Sequence, residues 1–190
     1  MISINYGTRK DTGSWMSLVQ KVSSSFPGLE TEEALTEHRR TVLDFMDRQE
    51  AICAKENDVI VGVLLFSKEN NILCFLAVDP IYRRQHIAEK MFRFILPHMS
   101  TGKPITVTTY RNGVPEGVAA RAFYQKLGFV PGQMTVDAPA LLARPFCPLC
   151  CFVFNCRLDR YARRCNRTKN RHRQQSWCIL RQILCLRLSA

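Results

Sequence analysis

Apolar residues recur along this chain in two rhythms, one helical and one alternating, and the changes between them predict most of its elements. After a short strand at residues 2–6, Trp15, Leu18, Val19 and Val22 fall at helical spacing, with Asp11 placed to cap the helix and Pro27-Gly28 to stop it. Leu35, His38, Val42, Phe45 and Met46 repeat the pattern behind Thr31-Glu32-Glu33, whose two acids suit the positive end of a second helix. Three strand-length runs follow, at residues 51–56, 59–67 and 72–78, separated by Asn-Asp and Glu-Asn-Asn, which form turns. The last two runs are apolar on both alternating faces, as in strands covered on both sides. Ile87, Met91, Ile95 and Met99 lie four apart and open a third helix near Ile87, with Phe92 and Phe94 widening its apolar face. Residues 104–110 predict a strand, residues 118–127 a fourth helix ended by Gly128, and Phe129 begins another strand.

Hairpins and crossover helices occur together in this order, so the expected fold is α/β with a mixed central sheet flanked by helices. A dinucleotide-binding Rossmann fold is excluded, because no G-x-G-x-x-G follows any strand.

Charge divides the chain in two. It has 190 residues with 27 Lys and Arg against 16 Asp and Glu. Residues 1–138 carry 16 against 15, whereas residues 139–190 carry eleven against one, ten of the eleven being arginine. The cysteines divide at the same place, with Cys53 and Cys74 before it and seven after it. Two segments are therefore expected, a domain at residues 1–136 and a basic Arg/Cys-rich tail at residues 137–190, poorly ordered because like charge opposes compaction. The apolar stretch at residues 138–154 is interrupted by Arg144 and rich in proline, so no membrane span is expected. The first residues lead to Arg9, Lys10 and Asp11 without an apolar h-region, which points to a cytoplasmic chain.

The densest chemical signal is Leu76-Ala77-Val78-Asp79-Pro80-Ile81-Tyr82-Arg83-Arg84-Gln85-His86-Ile87-Ala88, an apolar strand passing through a basic turn into a helix. Such a turn offers backbone N–H groups and the positive end of a helix, which suit a pyrophosphate; the plain alternative is a solvated turn with two surface arginines. Downstream lies Ala119-Ala120-Arg121-Ala122-Phe123-Tyr124-Gln125-Lys126-Leu127-Gly128-Phe129.

In these two segments the sequence resembles the GNAT acetyltransferase superfamily, whose cofactor motif R/Q-x-x-G-x-G/A follows a V-x-P-like strand end and whose later helix reads A-x-x-x-Y-x-x-L-G-F. Arg83 opens the first motif, Ala88 closes it, and His86 stands where glycine is usual. The resemblance covers about residues 1–136. It implies the GNAT-like acyl-CoA N-acyltransferase fold, in which two parallel strands splay apart and acetyl-CoA lies in the gap. By position, the backbone of Leu76, Ala77 and Val78 would hold the pantetheine arm and polarise the thioester carbonyl. Arg83, Arg84, Gln85, His86, Ile87, Ala88 and Glu89 would wrap the pyrophosphate, and Tyr124 would protonate the leaving thiolate. The chemistry agrees, since fixed backbone donors stabilise an oxyanion and a phenol of pKa about 10 can protonate a thiolate of pKa about 8.5.

What this implies is an acetyl-CoA-dependent N-acetyltransferase acting on a primary amine of a small molecule or peptide, in a fold compatible with a homodimer. Two departures from the pattern suggest a rival, a catalytically weakened CoA-binding module: His86 replaces a glycine that lets phosphate approach the backbone, and Gly117 stands where the family often has asparagine. For the general base, Asp79, Glu116, Glu37 and His38 are candidates by type, as is a water-mediated path.

The family's last strand has no clear counterpart, and the nearest substitute is the apolar run at residues 149–154. Beyond it Arg157, Arg160, Arg163, Arg164, Arg167, Lys169, Arg171 and Arg173 could form a nucleic-acid arm. Cys147-Pro-Leu-Cys150 lacks the second close pair that a structural zinc site needs. Arg, Cys, Leu and Pro with almost no acid is also what translation of ordinary coding DNA in another frame produces.

Overall fold

The computed structural model describes residues 1–110 and 112–132, and the backbone of residues 152–156. They fall into two compact units, Met1–His98 and Met99–Ala190. The pair Cys147 and Cys150, and the arginine cluster at residues 157–173, lie outside the described residues.

In the first unit the four strands β1 (Ser3–Tyr6), β2 (Ala51–Glu56), β3 (Val59–Ser67) and β4 (Ile72–Val78) form an antiparallel meander in sequence order. The β2–β3 hairpin turns at Asn57 and Asp58, both at positive φ, as a tight two-residue hairpin turn requires. From Ile60 to its end β3 is buried throughout, which is why its sequence is apolar on both faces.

Helices α1 (Thr12–Val22) and α2 (Glu32–Asp47) seat Trp15, Leu18, Val19, Val22, Val42 and Phe45 in one core with Cys53, Val63, Leu65 and Ala77 of the sheet. On β3, a Cβ at Gly62 would meet Ile87 and Met91 of α3 (Ile87–Ile95). The glycine allows that close helix–sheet approach.

The capping signals act as the sequence indicates at α2, where the Thr31 hydroxyl accepts from the Ala34 amide at 3.2 Å. The first helix departs from expectation. It ends at Val22, ahead of Pro27-Gly28, because the serines at Ser23–Ser25 tighten into a 3₁₀ turn. One of them, Ser23, turns its hydroxyl back to the Gln20 carbonyl at 2.9 Å.

The second unit contains β5 (Ile105–Thr109), α4 (Val118–Lys126), β6 (Phe129–Pro131) and β7 (Phe152–Cys156). Strand β7 pairs antiparallel with both β5 and β6, placing Cys156 opposite Ile105 on one side and Phe129 on the other. Of the closing strand expected at residues 149–154, residues 152–154 fall in β7, beyond residue 136, and residues 149–151 lie outside the described residues. The ends of β7 are set by the two strands it joins and extend past the apolar run to Asn155 and Cys156.

Candidate active site

The strand–turn–helix segment begins with an irregularity in β4. Leu65 faces Phe75 but Phe66 faces Leu73, which leaves Cys74 as an extra residue in the ladder. Bulges of this kind bend a strand and are common beside active sites. Beyond it, Leu76, Ala77 and Val78 pair in regular register with Leu64, Val63 and Gly62. The Asp79 amide donates to the Val61 carbonyl at 2.9 Å and extends the pairing by one residue.

Asp79 then organises the turn. Its carboxylate accepts from the Ile81 amide at 3.0 Å and from Lys21 Nζ of α1 at 2.8 Å. Burial opposes the charged form, but the Lys21 and Ile81 hydrogen bonds outweigh it and hold the carboxyl below its ordinary range. Pro80–Tyr82 forms a 3₁₀ turn, and the Arg83 guanidinium folds back with Nε donating to the Val78 carbonyl at 3.4 Å.

Arg84 and His86 both take the left-handed conformation, at φ 64° and 60°. Histidine is among the residues that tolerate it, so the backbone path that glycine usually supplies survives the substitution. The Lys90 amide donates to the His86 carbonyl at 2.9 Å and starts the helical ladder, so the amides of Ile87, Ala88 and Glu89 lie ahead of it, at the positive end of α3. The imidazole of His86 reaches its Nδ1 to within 3.0 Å of Glu89, and Arg93 donates to the other oxygen of Glu89 at 2.6 Å. This chain of contacts turns the imidazole along the helix, where it stays largely exposed.

The second motif lies on α4. Tyr124 is buried, with its ring between those of Phe123 and Phe129 at centroid distances of 5.3 and 5.4 Å. Burial drives its phenol well above its ordinary pKa, so it holds its proton throughout the neutral range. Gly117 just precedes α4. A Cβ there would collide with Tyr110 Cβ and with Nη1 of Arg121. The buried guanidinium of Arg121 ties the preceding loop by donating to the carbonyls of Tyr110 at 3.2 Å and Val114 at 3.0 Å. The space an asparagine side chain would need is thus occupied. Arg121 stood among the variable positions of the motif, and nothing in the sequence marked it as an anchor.

The candidate bases separate by environment. Asp79 is committed to Lys21 and the turn, and the exposed Glu37 pairs with Arg40 at 3.3 Å. Glu116 is exposed in the short turn before α4. His38 is buried on α2, with its ring 4.9 Å from that of Phe75 and its Nε2 without a hydrogen-bond partner among the described residues. Burial lowers its pKa to about 4. An orphaned buried polar atom costs about 1–3 kcal/mol. The thiols of Cys53 and Cys74 are pushed up by burial, to about 11 and about 12, so neither supplies a thiolate at neutral pH.

A family model described as the acetyltransferase (GNAT) domain matches residues 29–138, more than half of the chain. The chain belongs to the GNAT acetyltransferase family. Solved GNAT structures share its fold. A GNAT-family acetyltransferase from Bacillus cereus superposes with a TM-score of 0.61 at 16% identity, over 82% of this chain and 96% of that one. The PaiA N-acetyltransferase from Thermoplasma acidophilum, in complex with coenzyme A, gives 0.57 at 14% identity over 82% and 98%. Arabidopsis thaliana Naa50, in complex with the bisubstrate analogue CoA-Ac-MVNAL, gives 0.58 at 20% identity over 81% and 97%. No curated protein matches the sequence.

The GNAT assignment makes the protein an N-acetyltransferase that takes its acetyl group from acetyl-CoA. No helix among the described residues is long and apolar enough to cross a membrane.

Proposed function

We propose that this GNAT protein transfers acetyl from acetyl-CoA to a primary amine, using the turn after β4 to hold the donor and Tyr124 to release its thiol. The observation that carries this reading is the left-handed backbone at Arg84 and His86, which brings the chain into α3 with the amides of Ile87, Ala88 and Glu89 at its positive end. In this reading Arg83, Arg84 and Gln85 complete the pyrophosphate cradle, and the backbone of Leu76, Ala77 and Val78 lies along the pantetheine arm.

The amine nitrogen attacks the thioester carbonyl carbon, and the C–N bond forms as the carbonyl becomes an oxyanion held by backbone N–H groups of the strand. The carbonyl re-forms, the C–S bond breaks, and the departing sulfur takes the phenolic proton of Tyr124. The proton lost by the amine, carried through solvent, restores the phenol. Because burial keeps Tyr124 protonated, the donor is present from the start of each turnover.

Two measurements test the reading. Acetyl-CoA should raise the thermal midpoint while ATP and NAD leave it unchanged, since only acetyl-CoA joins a pyrophosphate to an extended pantetheine arm. Tyr124→Phe should keep acetyl-CoA affinity and lower turnover by about 10²- to 10⁴-fold. Wild-type turnover in that variant, with chemistry rate-limiting, removes Tyr124 from the mechanism. The exposed side chain of His86, where the family's glycine would leave the backbone bare, favours a second reading as a weakened CoA-binding module. Calorimetric binding of acetyl-CoA with no turnover over an amine panel would establish it.

A further inference from the structure

We propose that Lys21 and Tyr82 are positioning residues for acetyl-CoA: through Asp79 and Glu56 they hold Arg84 and His86 in the left-handed conformation and keep the turn after β4 shaped for a pyrophosphate, a role that rests on the reading of that turn as the cosubstrate cradle. Left-handed backbone is unfavourable for residues other than glycine. Asn57, Asp58 and Asn71 are residue types that accept it in turns, and Gln49 follows α2, where helices commonly close this way. Arg84 belongs to neither class, and His86 adds a second left-handed residue to the same turn. Such conformations persist where surrounding contacts over-determine them.

Two contacts from distant parts of the chain supply that constraint. Lys21 Nζ of α1 donates to both carboxylate oxygens of Asp79, at 3.0 and 2.8 Å, and one of those oxygens also accepts from the Ile81 amide at 3.0 Å. The Tyr82 hydroxyl donates to the carboxylate of Glu56 at the end of β2, while the Tyr82 amide donates to the Asp79 carbonyl at 2.9 Å. The turn is thus tied to α1 at Asp79 and to β2 at Tyr82, and only Arg83 separates the second tie from Arg84. The hydrogen bond between His86 and Glu89 is local to the start of α3 and ties the turn to neither element. Lys21 and Tyr82 therefore act on the amides of Ile87, Ala88 and Glu89 through the backbone path between them. Without the two ties Arg84 is free to return to negative φ, and the path into α3 is lost.

The test uses the full chain and two readouts, calorimetry of acetyl-CoA binding and hydrogen exchange of the Lys90 amide, which donates to the His86 carbonyl at 2.9 Å. Lys21 and Tyr82 are only partly buried, so Lys21→Met combined with Tyr82→Phe leaves the core intact. That pair should weaken acetyl-CoA binding about fivefold or more and speed Lys90 exchange by a similar factor. Placed on Arg84→Gly with His86→Gly, the same pair should change either readout by less than about twofold, because glycine takes positive φ unaided. Lys21→Arg alone keeps a cation on Asp79 and should bind acetyl-CoA within about twofold of wild type. An equal loss in the two backgrounds would mean that Lys21 acts on the bound phosphates by charge alone, and no loss in the wild-type background would mean that the turn holds its own shape. Either result overturns the proposal. Failure of wild type to bind acetyl-CoA would overturn the cosubstrate reading instead, while Lys90 exchange still decides whether Lys21 and Tyr82 shape the turn.

Discussion

The two units of this protein are built in opposite ways. In Met1–His98 each strand pairs with its neighbour in sequence, and the hairpins, the caps and the turn after β4 all arise within short stretches of chain. In the second unit β5 and β6 are joined by β7, whose residues come from the Arg/Cys-rich segment, with twenty residues between the end of β6 and its start. Each unit also departs once from the family's sequence pattern, and the departures mirror each other. His86 puts a side chain where glycine is usual, and the backbone keeps its left-handed path while the imidazole swings out to Glu89. Gly117 puts a glycine where a side chain is usual, and Tyr110 and Arg121 fill the space. The first departure is absorbed by an exposed turn, whereas the second is enforced by packing.

The largest expected effect separates the tail into a strand that the second unit needs and a remainder that it does not. Ending the chain after Cys156 should preserve the thermal midpoint and acetyl-CoA binding, while ending it after Cys151 leaves β5 and β6 without their shared partner and should abolish cooperative folding of that unit. Circular dichroism melts and calorimetry of both truncations check this, and loss of binding in the longer one would show that residues 157–190 contribute.

Next in size is Gly117→Asn. It forces a side chain against Tyr110 and Arg121 and should destabilise the protein by about 1–3 kcal/mol in denaturant titrations. A neutral or stabilising result would mean that the loop yields and that the asparagine common in the family could be accommodated.

His86→Gly should be milder. It keeps the left-handed backbone at no steric cost and clears the approach to the α3 amides, so acetyl-CoA affinity should rise by up to about tenfold, equivalent to about 1.4 kcal/mol. Weaker binding would show instead that the imidazole contacts the cofactor.

The smallest effect belongs to Asp79→Asn, which removes the Lys21 ion pair while an amide oxygen can still accept from Ile81. The Asp79 carboxyl is held below its ordinary range in the folded state, so its contribution is present above the unfolded value and lost as pH falls through the folded one. The variant should be less stable than wild type by about 0.2–1 kcal/mol at neutral pH, and the difference should vanish in acid.

The contrast between the units also explains which parts of the structure were legible in the sequence. Strands β2, β3 and β4 were readable to the residue, because their alternation is bounded by turns that fix the register locally, such as Asn57-Asp58. The turn after β4 and Tyr124 stood out because their motifs are contiguous. The end of α1 was less legible, since three serines can continue a helix or bend it back. β7 runs past its apolar run to Asn155 and Cys156 because long-range partners, and not apolarity alone, determine how far pairing extends. The extra residue at Cys74, the burial of His38 and the anchoring role of Arg121 depend on contacts across the fold that leave no periodic trace.

Acetyl transfer itself is the most direct test of this chemistry. The full chain, incubated in reducing buffer with acetyl-CoA and a panel of primary amines, should release one CoA thiol for each N-acetylated product found by mass spectrometry, and Tyr124→Phe should slow both together. Acetyl-CoA bound at full occupancy, with thiol release no faster in the presence of any amine than in its absence and no acetamide formed, would contradict it.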